Sequence, residues 1–133
     1  MMGTVSHSPT LELALLVALA GGIGAVSRAL LIHHISLRRL DPLPLGTMVV
    51  NVSGSLVLGF LTGLSLYHGL GPKELSVFGL GLCGGYTTWS TASWESLHLM
   101  RSGHRSEAVI YTFGGLVTCL GAAIAGLAIA AAL

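Results

Sequence analysis

The chain has 133 residues, a formal net charge of +1 and a mean hydropathy of +0.83. Only 8% of its residues are charged, against about 25% in a soluble domain, so it cannot cover itself with a solvated surface and a bilayer is its expected solvent. The small charge, with no basic run beyond Arg38-Arg39, argues against nucleic acid as a partner.

The first apolar run, read as a helix over 11–32, holds only Glu12 near its start and Arg28 near its end. It is not read as a cleaved signal: Met1 to Thr10 lacks Lys and Arg, and the run continues past Ala18-Leu19-Ala20. Gly21-Gly22-Ile23-Gly24 lacks the third glycine and the βαβ setting of a dinucleotide site. Arg28 reads as a snorkelling or helix-terminus residue, and Glu12 as a solvated carboxylate at the membrane edge.

Pro42 and Pro44 mark the entry to a second helix over 45–66, which carries no charge. Thr47, Asn51, Ser55, Gly59 and Gly63 follow at four-residue steps and share one slowly drifting face. Ser55, Gly59 and Gly63 have the small-xxx-small spacing of a packing seam. Asn51 fits that seam poorly, because an amide in hydrocarbon is costly without partners. It reads equally as interhelical glue or as the lining of a pathway.

Gly71-Pro72 opens the third helix, over 75–98. Its middle holds Gly84-Gly85, then Tyr86 and the hydroxyl run Thr87, Thr88, Ser90, Thr91 and Ser93. Glycine is a poor helix former, so the helix is expected to break mid-membrane, and the freed backbone groups then need protein or a polar cavity. Carbonyls released around Gly84 to Thr87 suit a small hard cation such as sodium. The hydrogens of Asn51, Thr88, Ser90 and Thr91 suit a small, strongly hydrated anion. No basic residue is expected mid-membrane, which favours weak conduction over trapping.

A fourth helix over 107–132 places Tyr111, Gly115 and Cys119 on one face and Gly114, Thr118 and Ala122 on another. Close packing is the expected use, with Tyr111 an interfacial anchor as the alternative. Cys83 and Cys119 belong to no disulfide or metal spacing. The six histidines, His7, His33, His34, His68, His98 and His104, are read as solvated residues in or near loops. No nucleophile-base pair is evident, so an enzyme is not expected. Arg38, Arg39, Arg101 and Arg105, with Arg28 nearby, oppose Lys73 alone. That bias puts loops one and three in the cytoplasm. The expected architecture is one all-α membrane unit over 1–133 with four transmembrane helices.

Three segments are similar to the Fluc (CrcB-like) fluoride channel family: Gly21 to Ala25 with Arg28, Gly46 to Ser55, and Cys83 to Thr91. The resemblance implies an antiparallel (inverted) dimer in the prokaryotic plasma membrane, with two pores for passive fluoride export and fluoride resistance. It implies a structural sodium ion held by the carbonyls of Gly84 and Thr87 from both subunits, with Gly85 and Arg28 in structural roles. Asn51, Thr47, Thr88, Ser90, Thr91 and Tyr111 would belong to the fluoride pore. The family's two pore phenylalanines fall at Trp89 and Ala92. Trp89 keeps an aromatic edge and adds an N–H donor, while Ala92 keeps nothing. Two assemblies follow: a heterodimer with an oppositely oriented paralogue, in which one pore is altered, or a homodimer that tolerates both changes. The competing function is a small multidrug-type proton antiporter, which needs a deep carboxylate; Glu12 lies too near the edge, and no mid-membrane acid is expected in helices two to four. A non-transporting scaffold would explain the glycines but not Asn51 and the hydroxyls.

Overall fold

Long uncharged runs satisfy their backbone without water by forming helices, and the residues described by this computed structural model, 8–37 and 43–133, hold only helices and short connections. Helix α1 is Ser8–Ser36 and α2 is Leu45–His68. The third segment has two parts. The first, α3a, runs over 72–86 and includes a π-helical stretch at Leu75–Cys83; the second, α3b, is Trp89–Arg101. Helix α4 is Arg105–Ala131. Helices α1, α2 and α4 are long and apolar enough to cross a membrane. Gly69 ends α2 with φ of 73° and its N–H on the Leu64 carbonyl, a left-handed cap that a side chain would strain. His7, Arg38, Arg39 and Pro42, which carried the tail histidine, part of the basic bias and one mark of the entry to helix two, lie outside the described residues.

Helix α2 packs most extensively on α4, and α1 lies on α3a. Both contacts are backbone against backbone. A Cβ at Gly24 would collide with the Leu82 carbonyl, and one at Gly85 with the Gly21 carbonyl. Across the other seam, a Cβ at Gly59 would meet the Ala123 carbonyl and one at Gly126 the Leu56 carbonyl. The Gly59 and Gly63 part of the sequence seam therefore does face a neighbouring helix. The face of α4 that meets it carries Ala123, Gly126 and Ala130, whereas Gly114 and Gly121 face open space. The apolar core is small: Leu99, Ala108 and Tyr111 cluster with Leu43, Met48 and Ala92 against them.

Several expectations need correction. Arg28 is not at a helix end; α1 continues to Ser36. Glu95, for which no role was expected, sits half-buried inside α3b and is an acid within the third segment. His33 and His34 are in α1. His68 Nε2 lies 2.7 Å from the Ala130 carbonyl, and His98 stacks on Trp94 with ring centroids 5.1 Å apart.

Candidate functional site

The helix stops at Tyr86 because Thr87 and Thr88 are extended, with ψ of 160° at Thr87 and φ of −149° at Thr88. Such a kink exposes backbone groups that hydrocarbon cannot solvate. Two side chains, one from each of two other helices, meet them. Arg28 Nη1 of α1 donates to the Thr87 carbonyl at 2.9 Å. Asn51 of α2 clamps Thr88 in both directions: Nδ2 donates to its carbonyl at 2.8 Å, and Oδ1 accepts from its N–H at 2.8 Å. The Tyr86 hydroxyl lies 3.0 Å from Ser53 Oγ, and Ser53 gives its own hydrogen to the Val49 carbonyl at 2.7 Å. Thr88 then restarts the chain as the N-cap of α3b, its Oγ1 accepting from the Thr91 N–H at 3.2 Å.

One turn beyond, a carboxylate is held by two hydroxyls. Thr47 Oγ1 donates to Glu95 Oε1 at 2.9 Å, and Tyr111 Oη donates to Glu95 Oε2 at 2.7 Å. Thr47 and Tyr111 are buried, at 1% and 3% exposure. Each carboxylate oxygen thus has a donor, which is what makes a half-buried charge tolerable.

Between α2, α3b and α4 lies a groove of about 530 Å³. Asn51, Thr87, Thr88, Trp89, Ala92 and Tyr111 all line it. Thr47, Ser90, Thr91, Gly84 and Gly85 do not appear on its wall. The small residue at Ala92 helps leave this space open, and Trp89 stands at its edge with 80% of its surface exposed. Gly84 is exposed, and apart from its own helix backbone and chain neighbours no atom lies within 4 Å of where a side chain would begin. Among the described residues no group of three His, Cys, Asp or Glu side chains could hold a metal, so backbone carbonyls are the donor set this break offers a cation.

Sequence reasoning missed two partners. Arg28 reaches a carbonyl 59 positions away, which no local pattern announces. Glu95 had a signal: it falls one turn after Thr91 on the same helix face, so the hydroxyl track runs directly into an acid.

The chain matches the family model described as CrcB-like protein, Camphor Resistance (CrcB), over residues 15–127. It is 45% identical over 113 residues to the "Fluoride-specific ion channel FluC 1" of Leifsonia xyli subsp. xyli, covering 85% of this chain and 82% of that one. It is 44% identical over 114 residues to the "Fluoride-specific ion channel FluC 2" of Cutibacterium acnes, covering 85% and 93%. Against the "Fluoride-specific ion channel FluC" of Nitrobacter winogradskyi, identity is 37% over 116 residues, covering 86% and 92%.

Proposed function

The chain belongs to the CrcB-like family, and from that membership we propose that it is a subunit of a fluoride-selective channel. It would let fluoride leave the cell passively and so confer fluoride resistance, with no enzymatic step. The observation that carries this reading is the break between Tyr86 and Trp89. It brings the C-terminal end of α3a next to the N-terminal end of α3b. A helix N-terminus favours an anion, and a C-terminus favours a cation. In this reading the break lies at mid-membrane, and a second copy or a paralogue, inserted the other way up, completes the pore.

The family resemblance assigns a sodium ion to the carbonyls of Gly84 and Thr87. The residues present fit it. The amide that would close the helical bond to the Gly84 carbonyl is that of Thr88, and it bonds Asn51 instead. The Thr87 carbonyl accepts one bond from Arg28 and keeps a second lone pair. Bound there, the ion would supply positive charge that fixes the carbonyl ends of two facing subunits.

Along the pore side, Asn51 would hold the break open to the groove. Thr47 and Tyr111 would keep the Glu95 carboxylate occupied, so that it repels a passing anion less than a bare carboxylate would. Glu95 is also the observation that favours the second reading, a four-helix proton antiporter, since that mechanism needs a half-buried acid. A third, partner-supporting role for the subunit would follow from the missing aromatic at Ala92.

Fluoride efflux from proteoliposomes tests these readings, with the chain alone and with a paralogue from a neighbouring gene. Efflux of fluoride over chloride, without proton coupling, is the expected result. A folded protein that moves no fluoride in either setting overturns the channel reading. Exchange of protons for a cationic drug would transfer the assignment to the antiporter.

A further inference from the structure

An anion crossing a dry groove must be offered hydrogens, not merely oxygen atoms. Many polar side chains on this groove offer none, because their hydrogens are already given to the chain. Ser93 donates to the Trp89 carbonyl at 2.9 Å, and Ser96 to the Ala92 carbonyl at 2.9 Å. Thr87 Oγ1 donates to the Cys83 carbonyl at 2.9 Å, and Thr88 Oγ1 to Thr91 Oγ1 at 3.0 Å. Tyr111 donates to Glu95. These hydroxyls have committed their hydrogens and keep none for an anion.

Ser55 is different. It lines the groove, is half-buried, and makes no hydrogen bond among the described residues. It lies on α2 four residues after Asn51, hence one turn along the same face. Of the two hydrogens on Asn51 Nδ2, one goes to the Thr88 carbonyl, which leaves the other for the groove.

We propose that Ser55 is an anion-donating residue of this groove, forming with the remaining Asn51 N–H a station for a small anion one turn below the helix break. The proposal rests on the fluoride-channel reading for the identity of the anion, but not for the existence of the station. It departs from the packing role that the Ser55-Gly59-Gly63 spacing suggests. Gly59 and Gly63 face α4 backbone or side chains closely, whereas Ser55 lines the open groove. Successive four-residue steps turn by about 40° around a helix with 3.6 residues per turn, so one stripe can supply a donor at its upper end and a seam at its lower end.

The test compares hydroxyls that line the same groove and differ in where their hydrogens go. Two quantities are measured in reconstituted protein: fluoride efflux, and binding of fluoride and chloride followed by calorimetry. Ser55→Ala should lower fluoride efflux or weaken fluoride binding by about tenfold or more, the size of one hydrogen bond to a charged partner. Ser55→Thr, which restores a hydroxyl, should recover most of the loss. Ser93→Ala and Ser96→Ala should stay within about twofold of the unmodified chain, because they remove hydrogens that the groove never received. Ser55→Ala that leaves both efflux and binding unchanged overturns the station while the channel reading stands. Equal losses in Ser93→Ala, Ser96→Ala and Ser55→Ala also overturn it, since hydrogen direction would then not matter. A chain that binds fluoride through Ser55 but does not conduct supports the station and overturns the channel reading.

Discussion

The two sides of the break are built on opposite principles. On the α1 side, α3a lies against a neighbour with no side chain between them: Gly24 faces the Leu82 carbonyl and Gly85 the Gly21 carbonyl. On the α4 side, α3b packs through Leu99 on Ala108 and Tyr111 and leaves a groove of about 530 Å³ beside that cluster. The first contact is fixed by what is absent, so any added atom is a collision. The second is fixed by that small apolar cluster and by hydrogen bonds between side chains, and has room to spare. Ala92 on the open side therefore has room around it, and the glycines opposite have none.

The largest effect should come from closing the first contact. Gly85→Ala puts a methyl group onto the Gly21 carbonyl, which is backbone and cannot rotate away. The variant should fail to give folded protein after detergent extraction, seen as loss of the monodisperse peak in size-exclusion chromatography. Gly22→Ala, one residue along α1 and facing open space, should elute as the unmodified chain does. Equal behaviour of the two would break the contrast. Next in size is Asn51→Ala. It strips partners from both the N–H and the carbonyl of Thr88, at about 1–3 kcal/mol for each group left unpaired. Thermal unfolding should show a loss of about 2–5 kcal/mol, with fluoride efflux abolished. A variant that keeps full stability would mean that water or another donor replaces the clamp.

Composition points to an interruption, because Gly84-Gly85 and a dense hydroxyl run are costly in a membrane helix, but it misplaces it: Gly84–Tyr86 is helical and the extended residues are Thr87 and Thr88. What holds the break could be read only by half. Asn51 drew attention as an amide that hydrocarbon does not tolerate, and it proves to bond Thr88 in both directions. Arg28 did not, because an arginine near the end of an apolar run reads as a snorkelling residue; only the fold brings it to Thr87. Glu95 falls within the helix expected over 75–98, but nothing in the local pattern names its partners. It stays in the helix because Thr47 and Tyr111 supply a donor to each oxygen. His68 illustrates the same limit: its partner is a carbonyl at the far end of α4. Local pattern reports what a residue costs, and the fold decides what it meets.

Two changes on the open side should have intermediate effects. Tyr111→Phe removes one donor from Glu95 while keeping the ring that packs on Leu99 and Ala108. A loss of about 1–3 kcal/mol is expected, together with slower efflux, measured by thermal unfolding and an electrode trace on the same preparation. Unchanged stability would mean that Glu95 relies on Thr47 alone. Ala92→Phe should be tolerated, since the groove has space for a ring, and should change stability by less than about 1.5 kcal/mol. If an aromatic at this position assists conduction, as the family resemblance implies, this variant raises fluoride efflux; a fall in efflux would mean that the open space at Ala92 is itself part of the pathway.

The smallest effect should lie far from both sides of the break. Lys73 Nζ donates to Glu12 Oε1 at 2.9 Å, and both side chains are more than half exposed. The hydrogen bond and the negative charge of Glu12 hold the lysine ammonium above its ordinary pKa. A raised folded-state pKa means that the associated stability is fully present below the unfolded lysine pKa, about 10.4. It is lost only as pH rises through the higher folded value. Water screens an exposed pair of this kind strongly. Lys73→Gln should therefore unfold at the same temperature as the unmodified chain from pH 5 to pH 9, within the error of the measurement, with fluoride efflux unchanged. A clear loss of stability across that range would show that the link between α1 and the start of α3a helps to seat Gly24 and Gly85, and would extend the side-chain-free contact to the outer end of the same two helices.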